Sequence, residues 1–326
     1  MLLLDFINVG YGDAVLIRDT AAPFSMLVDC GDVQIGSSRP EGRRVTAAGY
    51  LRRQGIHQLD LLVLTHLHLD HAGGLAHLLP DIQIRRLWTN CLPPEACWGG
   101  RAAVPGACSS GARCLITSMN VYLRALSQLR GQGTVIQKLQ APMQHHALTS
   151  RLHADVFLED TPLHQRQSAI WQHVLSGQAG GGELDELDGF INNTSIRLRL
   201  SWGGTAVELP GDVYAACWER HQLSPCAIVK LPHHGHGDSV TPRLLDMLRP
   251  AHTVISVSDN RTDDCPSAAV IQAVLDAGSN LYFTDAVHAA GQPAFHSAVR
   301  FRIRGEGEPL EALEPAVSRA SFISHC

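Results

Sequence analysis

Short apolar runs of strand length alternate along the chain with stretches of helical spacing. Residues 2–9 and 14–17 alternate around a Gly-Tyr-Gly-Asp turn, which predicts two strands joined by a tight connection. Residues 59–64 form a continuous apolar run with the length of a buried strand. Residues 45–54 and 122–129 have helical spacing. Strands and helices in alternation predict an α/β fold.

Polar side chains follow several predicted strands at the point where each strand ends. Helices predicted over residues 242–248 and 268–277 alternate with the later strands. In layered α/β folds, ligands bind outside the carboxyl ends of the strands. Repeated polar endings therefore predict the rim of one common site. These endings are Asp29, His66, Asp212, His233 with His234, Asp259 and Asp285.

Two long segments do not follow this alternation of predicted strands and helices. Residues 89–115 are rich in Gly, Pro, Ser and Cys and are predicted to be a loop or an insertion. Residues 141–190 are predicted to be irregular, and the acidic residues 183–188 within them to be a solvated turn or short helix without a ligand role. We predict one domain over residues 1–300 that contains both segments, followed by a C-terminal extension over residues 301–326.

Composition narrows the class of protein. The 326 residues suffice for one large α/β domain or two small ones, and 45% of them are hydrophobic. A net charge of −5 argues against strong non-specific binding to nucleic acid, although it leaves room for a local basic patch. No apolar run approaches the roughly 20 residues that span a bilayer. The first apolar run is too short for a signal peptide, so we predict a cytoplasmic protein without a membrane partner.

The nine cysteines are expected to be reduced in that compartment. Four of them fall within residues 89–115, at separations wider than the Cys-x2-Cys spacing of common structural zinc sites. This spacing favours plain loop thiols over a structural metal or a disulfide at Cys91, Cys97, Cys108 and Cys114.

The strongest chemical signal is the sequence Thr-His-Leu-His-Leu-Asp-His at residues 65–71. In an extended segment His66 and His68 point to the same side and can chelate one cation. After a turn, Asp70 and His71 can reach a second cation. Imidazole and carboxylate ligands suit zinc, manganese or iron. We therefore predict two divalent metal ions, with zinc favoured and manganese or iron as alternatives.

These residues and the two glycines after them resemble the Thr-His-x-His-x-Asp-His-x-Gly-Gly signature of the metallo-β-lactamase superfamily. Other motifs resemble the metallo-hydrolase domain of the ComEC/Rec2 competence proteins, whose ordered matches cover roughly residues 5–290. The resemblance implies a four-layer αββα sandwich. The further matching motifs are Val-Gly-Tyr-Gly-Asp-Ala at 9–14, Val-Asp-Cys-Gly at 28–31, Asn-Asn-Thr-Ser at 192–195, Leu-Pro-Gly-Asp at 209–212 and Pro-His-His-Gly at 232–235.

The resemblance also implies roles for individual residues. Asp212 would bridge the two metals, each of its oxygens serving a different cation. Either His234 or His233 would complete the shell of the second metal, and the other would face the substrate; the sequence leaves this open. Asp29 would accept a hydrogen bond from a ligand imidazole and fix its tautomer. The implied metal ligands are His66, His68, Asp70, His71, Asp212 and His234, with Asp70, Asp212 and His233 as the catalytic residues.

Two departures from the superfamily pattern concern the first metal and the substrate. Asn193 stands where many superfamily enzymes have a third histidine, which predicts a weaker or water-rich first metal. Alternatively, a histidine at position 145, 146 or 153 supplies that ligand. Relatives carry His-Pro-Ser after an asparagine, whereas Cys265-Pro266-Ser267 follows Asn260 here. A substrate-contacting histidine is therefore missing or replaced by a thiol, and Asn193 and Asn260 are expected beside the ligands.

The predicted site favours a metal-dependent hydrolase. Two cations about 4 Å apart would lower the pKa of a bridging water and provide hydroxide at neutral pH. Lys230, His233 and His236 are candidates to hold an anionic leaving group, although Lys230 is also explained as a plain lysine at a strand end. The resemblance favours a nuclease or phosphodiesterase acting on a phosphoester or other anionic small molecule, or on nucleic acid. The alternatives are hydrolysis of another ester, a thioester or a lactam, and a non-catalytic metal-binding regulatory module.

Overall fold

The computed structural model describes residues 1–36, 43–158, 161–257, 265–285, 287, 296–305 and 310–317. Within these residues, two large sheets carry most of the strands. The first sheet has the order β17-β16-β1-β2-β3-β5-β7-β8. Its strands are β1 Leu2–Ile7, β2 Val15–Asp19, β3 Phe24–Val28, β5 Leu61–Leu64, β7 Arg86–Thr89, β8 Val135–Lys138, β16 Ala298–Ile303 and β17 Glu311–Ala312.

The second large sheet has the order β15-β14-β13-β12-β11-β10-β9. Its strands are β9 Met143–Ala147, β10 Leu152–Leu158, β11 Ile196–Trp202, β12 Thr205–Leu209, β13 Ile228–Lys230, β14 His252–Ile255 and β15 Asn280–Phe283. A small parallel pair is formed by β4 Gln58–Leu59 and β6 Gln83–Ile84.

Helices cover the outer faces of both sheets. They are α1 Ala47–Arg53, α2 Leu69–Ala72, α3 Leu75–Leu78, α4 Ser110–Gly131, α5 Thr161–Leu175, α6 Gly181–Phe190, α7 Ala215–Trp218, α8 Pro242–Leu248 and α9 Ala268–Asp276. Short 3-10 turns lie at Glu95–Cys97, Ile191–Thr194 and His233–Gly235. None of the helices in the described ranges is both long and apolar enough to cross a bilayer.

Three apolar clusters separate the four layers. One cluster lies between the two sheets, a second joins the first sheet to α1–α6, and a third joins the second sheet to α7–α9. The sequence of strand β5 is continuously apolar because both faces of the strand are covered. Leu61 and Val63 lie in the cluster between the sheets, while Leu62 and Leu64 lie in the cluster under the helices. This helix–sheet–sheet–helix order confirms the predicted αββα sandwich.

The predicted loop over residues 89–115 is wrong at its C-terminal end. Helix α4 begins at Ser110, capped by Ser109, whose Oγ accepts a hydrogen bond from the Ala112 N–H at 3.1 Å. A glycine and a cysteine lie in the first turns of α4, so composition alone predicts a loop at these residues. Cys91, Cys97, Cys108 and Cys114 are free thiols in the structure.

The prediction of an irregular segment over residues 141–190 is also wrong. It contains β9, β10, α5 and α6. In β10 the residues Leu152, Ala154 and Val156 are buried and alternate with the less buried His153, Asp155 and Phe157, as in a strand covered on one face. Helix α5 buries only four of its fifteen residues, so its periodicity is weak.

The domain boundary predicted at residue 300 cuts a strand. Strand β16 pairs antiparallel with β1, and Leu2 lies opposite Ile303. Strand β17 then pairs with β16. Residues 301–303 and 311–312 are therefore part of the first sheet rather than of an extension.

Candidate metal centre

The strands β3, β5, β12 and β13 bring the candidate residues to one edge of the sandwich. β3 and β5 are parallel neighbours in the first sheet, and β12 and β13 are parallel neighbours in the second. The carboxyl ends of parallel neighbours lie at the same edge, so the segments after these strands meet there. Gly74 allows the turn after the histidine motif to approach, because a Cβ at this position would lie 1.8 Å from the carbonyl oxygen of Cys30.

The first group of ligand atoms comes from His66 and His68. Their Nε2 and Nδ1 atoms, respectively, lie 3.1 Å apart. The other nitrogen of His66, Nδ1, lies 3.1 Å from Thr65 Oγ1 and 3.2 Å from Ser195 Oγ. Burial, with His71 and His68 nearby, holds the pKa of His66 well below its usual range, which favours the neutral imidazole that binds metals.

The second group consists of Asp70, His71 and His234. One ligand atom from each lies within 4.8 Å of the others. Asp70 Oδ2 is 3.0 Å from His234 Nε2. Of the two neighbouring histidines, it is His234 that is buried, with a side chain 1% exposed.

Asp29 fixes the orientation of His71. Its Oδ2 lies 2.8 Å from His71 Nδ1, which leaves Nε2 to face the site. Asp29 is itself held, since it accepts hydrogen bonds from the Thr65 N–H at 2.8 Å and the Thr65 hydroxyl at 2.7 Å. This is the arrangement expected for a carboxylate that orients a metal-binding imidazole.

Asp212 lies between the two groups, and its two oxygens face different surroundings. Oδ2 is 3.1 Å from His71 Nε2 and 3.5 Å from His234 Nε2. Oδ1 accepts hydrogen bonds from the His233 N–H at 2.9 Å and from Lys230 Nζ at 3.3 Å. The expectation that each oxygen serves a different cation therefore does not fit, because protein donors already occupy Oδ1.

Lys230 is buried beneath Asp212 and carries a charge. Its side chain is 2% exposed, and Nζ contacts both Asp13 and Asp212. Burial lowers the pKa of Lys230, but the two carboxylates outweigh it and raise that pKa. For Asp212, burial alone would raise the pKa of the carboxyl group. The nearby His71 and Lys230 outweigh burial and hold that pKa well below its usual range. Lys230 is thus neither a plain strand-end lysine nor placed to hold a leaving group.

His233 lies at the rim of the site. Its Nδ1 is 2.8 Å from Asp238 Oδ1, and its side chain is 22% exposed. Burial lowers the pKa of His233, but Asp238 and Asp212 outweigh it and raise that pKa. His236 contacts the same Asp238 oxygen at 3.2 Å.

Consecutive left-handed residues decide which histidine faces inward. His233 and His234 have φ values of 48° and 52°, a conformation that is uncommon outside glycine. The turn sends one ring into the site and the other toward the rim. No feature of the sequence distinguishes the two rings.

Asn193 and the alternative histidines do not complete the first group. Asn193 Oδ1 accepts a hydrogen bond from the Tyr214 N–H at 3.1 Å. His145 stacks on His153 with ring centroids 4.4 Å apart, and His146 lies against Trp88. Among the described residues, none of these histidines belongs to a cluster able to hold a metal. Asn260 lies outside the described residues.

Asp188 is a site residue that sequence reasoning missed. The sequence predicts a solvated acidic stretch over residues 183–188, but Asp188 Oδ1 lies 3.6 Å from His68 Nε2. Gly111 makes room for it, since a Cβ on Gly111 would lie 2.0 Å from Asp188 Oδ2. Asp188 follows the buried Leu184 by one turn of α6, which places it on the covered side of the helix. The sequence alone does not show that α4 covers this side, so this spacing could not identify Asp188 as a site residue.

Asp13 was also missed as a site residue. It is 3% exposed and contacts Lys230 through Oδ2. Its place in the Val-Gly-Tyr-Gly-Asp-Ala motif was the signal that could have found it. The Gly12 that precedes it is required, because a Cβ there would lie 2.1 Å from the carbonyl oxygen of Asp70.

Comparison with known proteins shows what the chain is similar to in sequence. Residues 7–88 match the family described as the Metallo-beta-lactamase superfamily. The chain is 24% identical over 283 residues to ComE operon protein 3 of Bacillus subtilis strain 168, an alignment that covers 82% of this chain and 30% of that protein. The chain therefore spans less than a third of the length of that relative.

Two solved structures are among those similar to this chain. The metallo-beta-lactamase fold protein YhfI from Bacillus subtilis is 10% identical with a TM-score of 0.48, covering 87% of this chain and 96% of that one. Zn(2+)-bound PqqB from Methylobacterium extorquens is 10% identical with a TM-score of 0.45, covering 93% and 100%. The profile match over residues 7–88 and the ComE operon relative confirm that the chain resembles the metallo-beta-lactamase superfamily and, within it, proteins of the ComEC type.

Proposed function

We propose that this chain is a metal-dependent hydrolase that cleaves a phosphodiester bond. The observation that carries the proposal is that Asp212 lies among ligand atoms of both groups. His66, His71 and Asp212 each offer a ligand atom within 4.8 Å of the others. Asp212 Oδ2 is also 3.1 Å from His71 Nε2 and 3.5 Å from His234 Nε2. The proposed ligands are His66 and His68 for the first cation and Asp70, His71 and His234 for the second, with Asp212 shared between them.

The donor set fits divalent cations. Two nitrogens bound to one tetrahedral zinc ion at about 2.0–2.1 Å lie roughly 3.3 Å apart. The 3.1 Å between His66 Nε2 and His68 Nδ1 is close to that separation. Neutral imidazole and carboxylate oxygens suit zinc first, and manganese or iron as alternatives.

When bound, the two cations supply the Lewis acidity that produces hydroxide at neutral pH. The protein residues supply orientation and charge. Asp29 holds His71 by Nδ1, and Lys230 holds Asp212 by Oδ1, so the remaining atom of each faces the site. His233 is oriented by Asp238 through Nδ1, which leaves its Nε2 to give a proton to the departing oxygen.

Bound cations would favour an anionic substrate. Two divalent cations would be the largest local charges in the site, and they attract a phosphodiester more strongly than a neutral ester or lactam. The resemblance to competence-type domains supports the same substrate class, as a nucleic acid or a small phosphoester.

A substrate panel tests the proposal. Protein purified without chelator is incubated with bis(p-nitrophenyl) phosphate, single-stranded DNA, an aryl acetate, a thioester and a chromogenic β-lactam. We expect hydrolysis of the phosphodiesters, lost on chelation and restored by zinc or manganese. Turnover of only the aryl acetate, the thioester or the lactam would show that the substrate belongs to that class and is not a phosphodiester. Bound metal without turnover of any of them would favour the non-catalytic module.

We further propose that Asp188 orients His68 as Asp29 orients His71. Replacing Asp188 by Asn removes the charge that favours the metal-binding orientation of the ring. We expect the affinity for the first cation to fall about tenfold, since such partners are typically worth 10–100-fold. The measurement is a cobalt titration followed by visible absorption, which reports coordination without turnover.

Asp185→Asn provides the matched control. Asp185 lies on the same helix and is exposed, where its Oδ1 accepts a hydrogen bond from the Ser109 N–H. Gly111→Ala is a second test, because a methyl group there displaces the Asp188 carboxylate. Equal cobalt affinity in Asp188→Asn, Asp185→Asn and the unmodified protein would show that Asp188 does not act on the site.

A further inference from the structure

Two adjoining cavities lie beside α5, and none of the proposed metal ligands lines them. The larger has a volume of about 500 Å³ and is lined by Lys138, Asn90, His164 and several glutamines. The smaller, of about 180 Å³, is bounded by Trp171, Leu175 and prolines. Ser168 and Gln172 line both cavities. Volumes of several hundred cubic ångströms are typical of small-molecule sites.

Lys138 gives the larger cavity a positive charge. It is one of only two lysines in the chain, and the other is Lys230 of the metal centre. Lys138 Nζ donates a hydrogen bond to Ser168 Oγ at 3.0 Å. Within the described ranges, no carboxylate forms an ion pair with it. A lysine ammonium in a polar cavity is a point charge suited to a phosphate.

Among the described residues, one that lines each cavity carries a buried polar atom without a hydrogen-bond partner. Asn90 is 1% exposed, and its Oδ1 accepts no hydrogen bond although its Nδ2 donates to Thr194. Trp171 is 2% exposed, and its indole N–H donates none. An unpaired buried polar group costs about 1–3 kcal/mol, so two of them at the walls of one cavity pair require an explanation.

We propose that the two cavities form one binding site for a nucleoside monophosphate. The phosphate lies at Lys138, and Ser168 and neighbouring amides supply further hydrogen bonds. The flat ring lies toward Trp171, where an apolar wall and an indole N–H meet. Ring donors and acceptors satisfy Trp171 Nε1 and Asn90 Oδ1. Nothing in this assignment depends on the metals or on hydrolysis.

The proposed site lies close to the metal centre and is linked to it by side-chain contacts. Strands β5, β7 and β8 are parallel neighbours, so Lys138 lies two strand spacings, about 10 Å, from the strand that precedes the histidine motif. Asn90 holds Thr194, and the next residue, Ser195, contacts His66. The nucleotide is therefore either a free ligand or the neighbouring unit of a longer substrate.

Metal-depleted protein, dialysed free of chelator, tests the assignment by calorimetric titration. The probes are AMP, ribose 5-phosphate and adenosine. We expect AMP to bind, adenosine to bind at least tenfold more weakly, and Lys138→Met to lower AMP affinity at least tenfold. Arg166→Met is the control, because it removes a positive charge from α5, the helix beside the cavities, at an exposed position paired with Glu186. We also expect AMP to change the intrinsic fluorescence, and Trp171→Phe to abolish that change.

Each alternative result has a defined meaning. If AMP does not bind, or binds Lys138→Met and the parent equally, the site is overturned. If ribose 5-phosphate binds as tightly as AMP, the assignment of the ring to Trp171 is overturned. Circular dichroism of each variant establishes that it is folded. The KM of Lys138→Met for a dinucleotide and for bis(p-nitrophenyl) phosphate is compared with that of the parent. A greater rise in KM for the dinucleotide identifies the nucleotide as part of the substrate. Equal changes in KM for the two substrates identify a free ligand.

Discussion

Replacing Asp212 by Asn is expected to lower kcat/KM for bis(p-nitrophenyl) phosphate by about 1,000-fold or more. Cations of a two-metal site contribute several kcal/mol to transition-state stabilisation, and each 1.4 kcal/mol or so is a factor of ten in rate. Asp212 lies within 4.8 Å of ligand atoms of His66 and His71, and its Oδ2 is 3.5 Å from His234 Nε2, so the neutral amide would remove a charge shared by both proposed cation positions. Steady-state kinetics at saturating zinc measure the effect.

Asp246→Asn is the matched control for this variant. Asp246 is exposed on α8, and its substitution makes the same change of charge away from the site. The control should retain the parent rate. If Asp212→Asn hydrolyses the phosphodiester within tenfold of the parent, the shared-carboxylate mechanism is wrong.

Replacing Lys230 by Met is expected to lower the free energy of unfolding of the metal-free protein by about 3–5 kcal/mol. Removing one partner of a buried ion pair leaves an uncompensated buried charge, and losses of that size are typical. Here two carboxylates lose the cation, since Lys230 contacts both Asp13 and Asp212. Urea unfolding followed by circular dichroism measures the loss.

The double variant Asp13→Asn/Lys230→Met separates charge from packing. Methionine keeps the length and apolar stem of lysine, so the remaining cost comes from the unpaired carboxylates. We expect the double variant to be more stable than Lys230→Met alone, with a coupling energy above about 1 kcal/mol. Additive losses would show that Lys230 stabilises the fold by packing alone. Arg243→Met, at an exposed position on α8, is the surface control.

The parts of the fold that could be predicted are those in which local pattern and global burial agree. Strand β5 is apolar at every position because both its faces are covered, and its four residues are fully buried. The histidine motif could be found because its ligands lie within six residues. Helix α8 over Pro242–Leu248 matches its predicted range, because a capping Thr241 and a proline in the first turn mark its start.

The parts that could not be predicted depend on contacts between distant segments. Asp188 reaches His68 across 120 residues of sequence, through the packing of α6 against α4. Lys230 looked like a strand-end lysine because its partner Asp13 lies more than 200 residues earlier. In both cases the side chain is ordinary by local rules, and only the fold supplies the partner.

Helices α5 and α6 show why part of the middle of the chain resists prediction. They bury four of fifteen and two of ten residues, so polar residues and glycine dominate their sequences. Apolar periodicity is a weak signal where so few positions are buried. Strand β16 was missed for a different reason: its partner β1 begins the chain, and sequence separation hides the pairing.

We propose that this chain holds two divalent cations at one shared carboxylate. Crystals of protein purified without chelator, measured across the zinc absorption edge, provide a direct test. We expect two anomalous peaks flanking Asp212 Oδ2, the first beside His66 Nε2 and His68 Nδ1 and the second among Asp70, His71 and His234. No peak at these atoms, or a single peak at His233, His236 and Asp238, would contradict it.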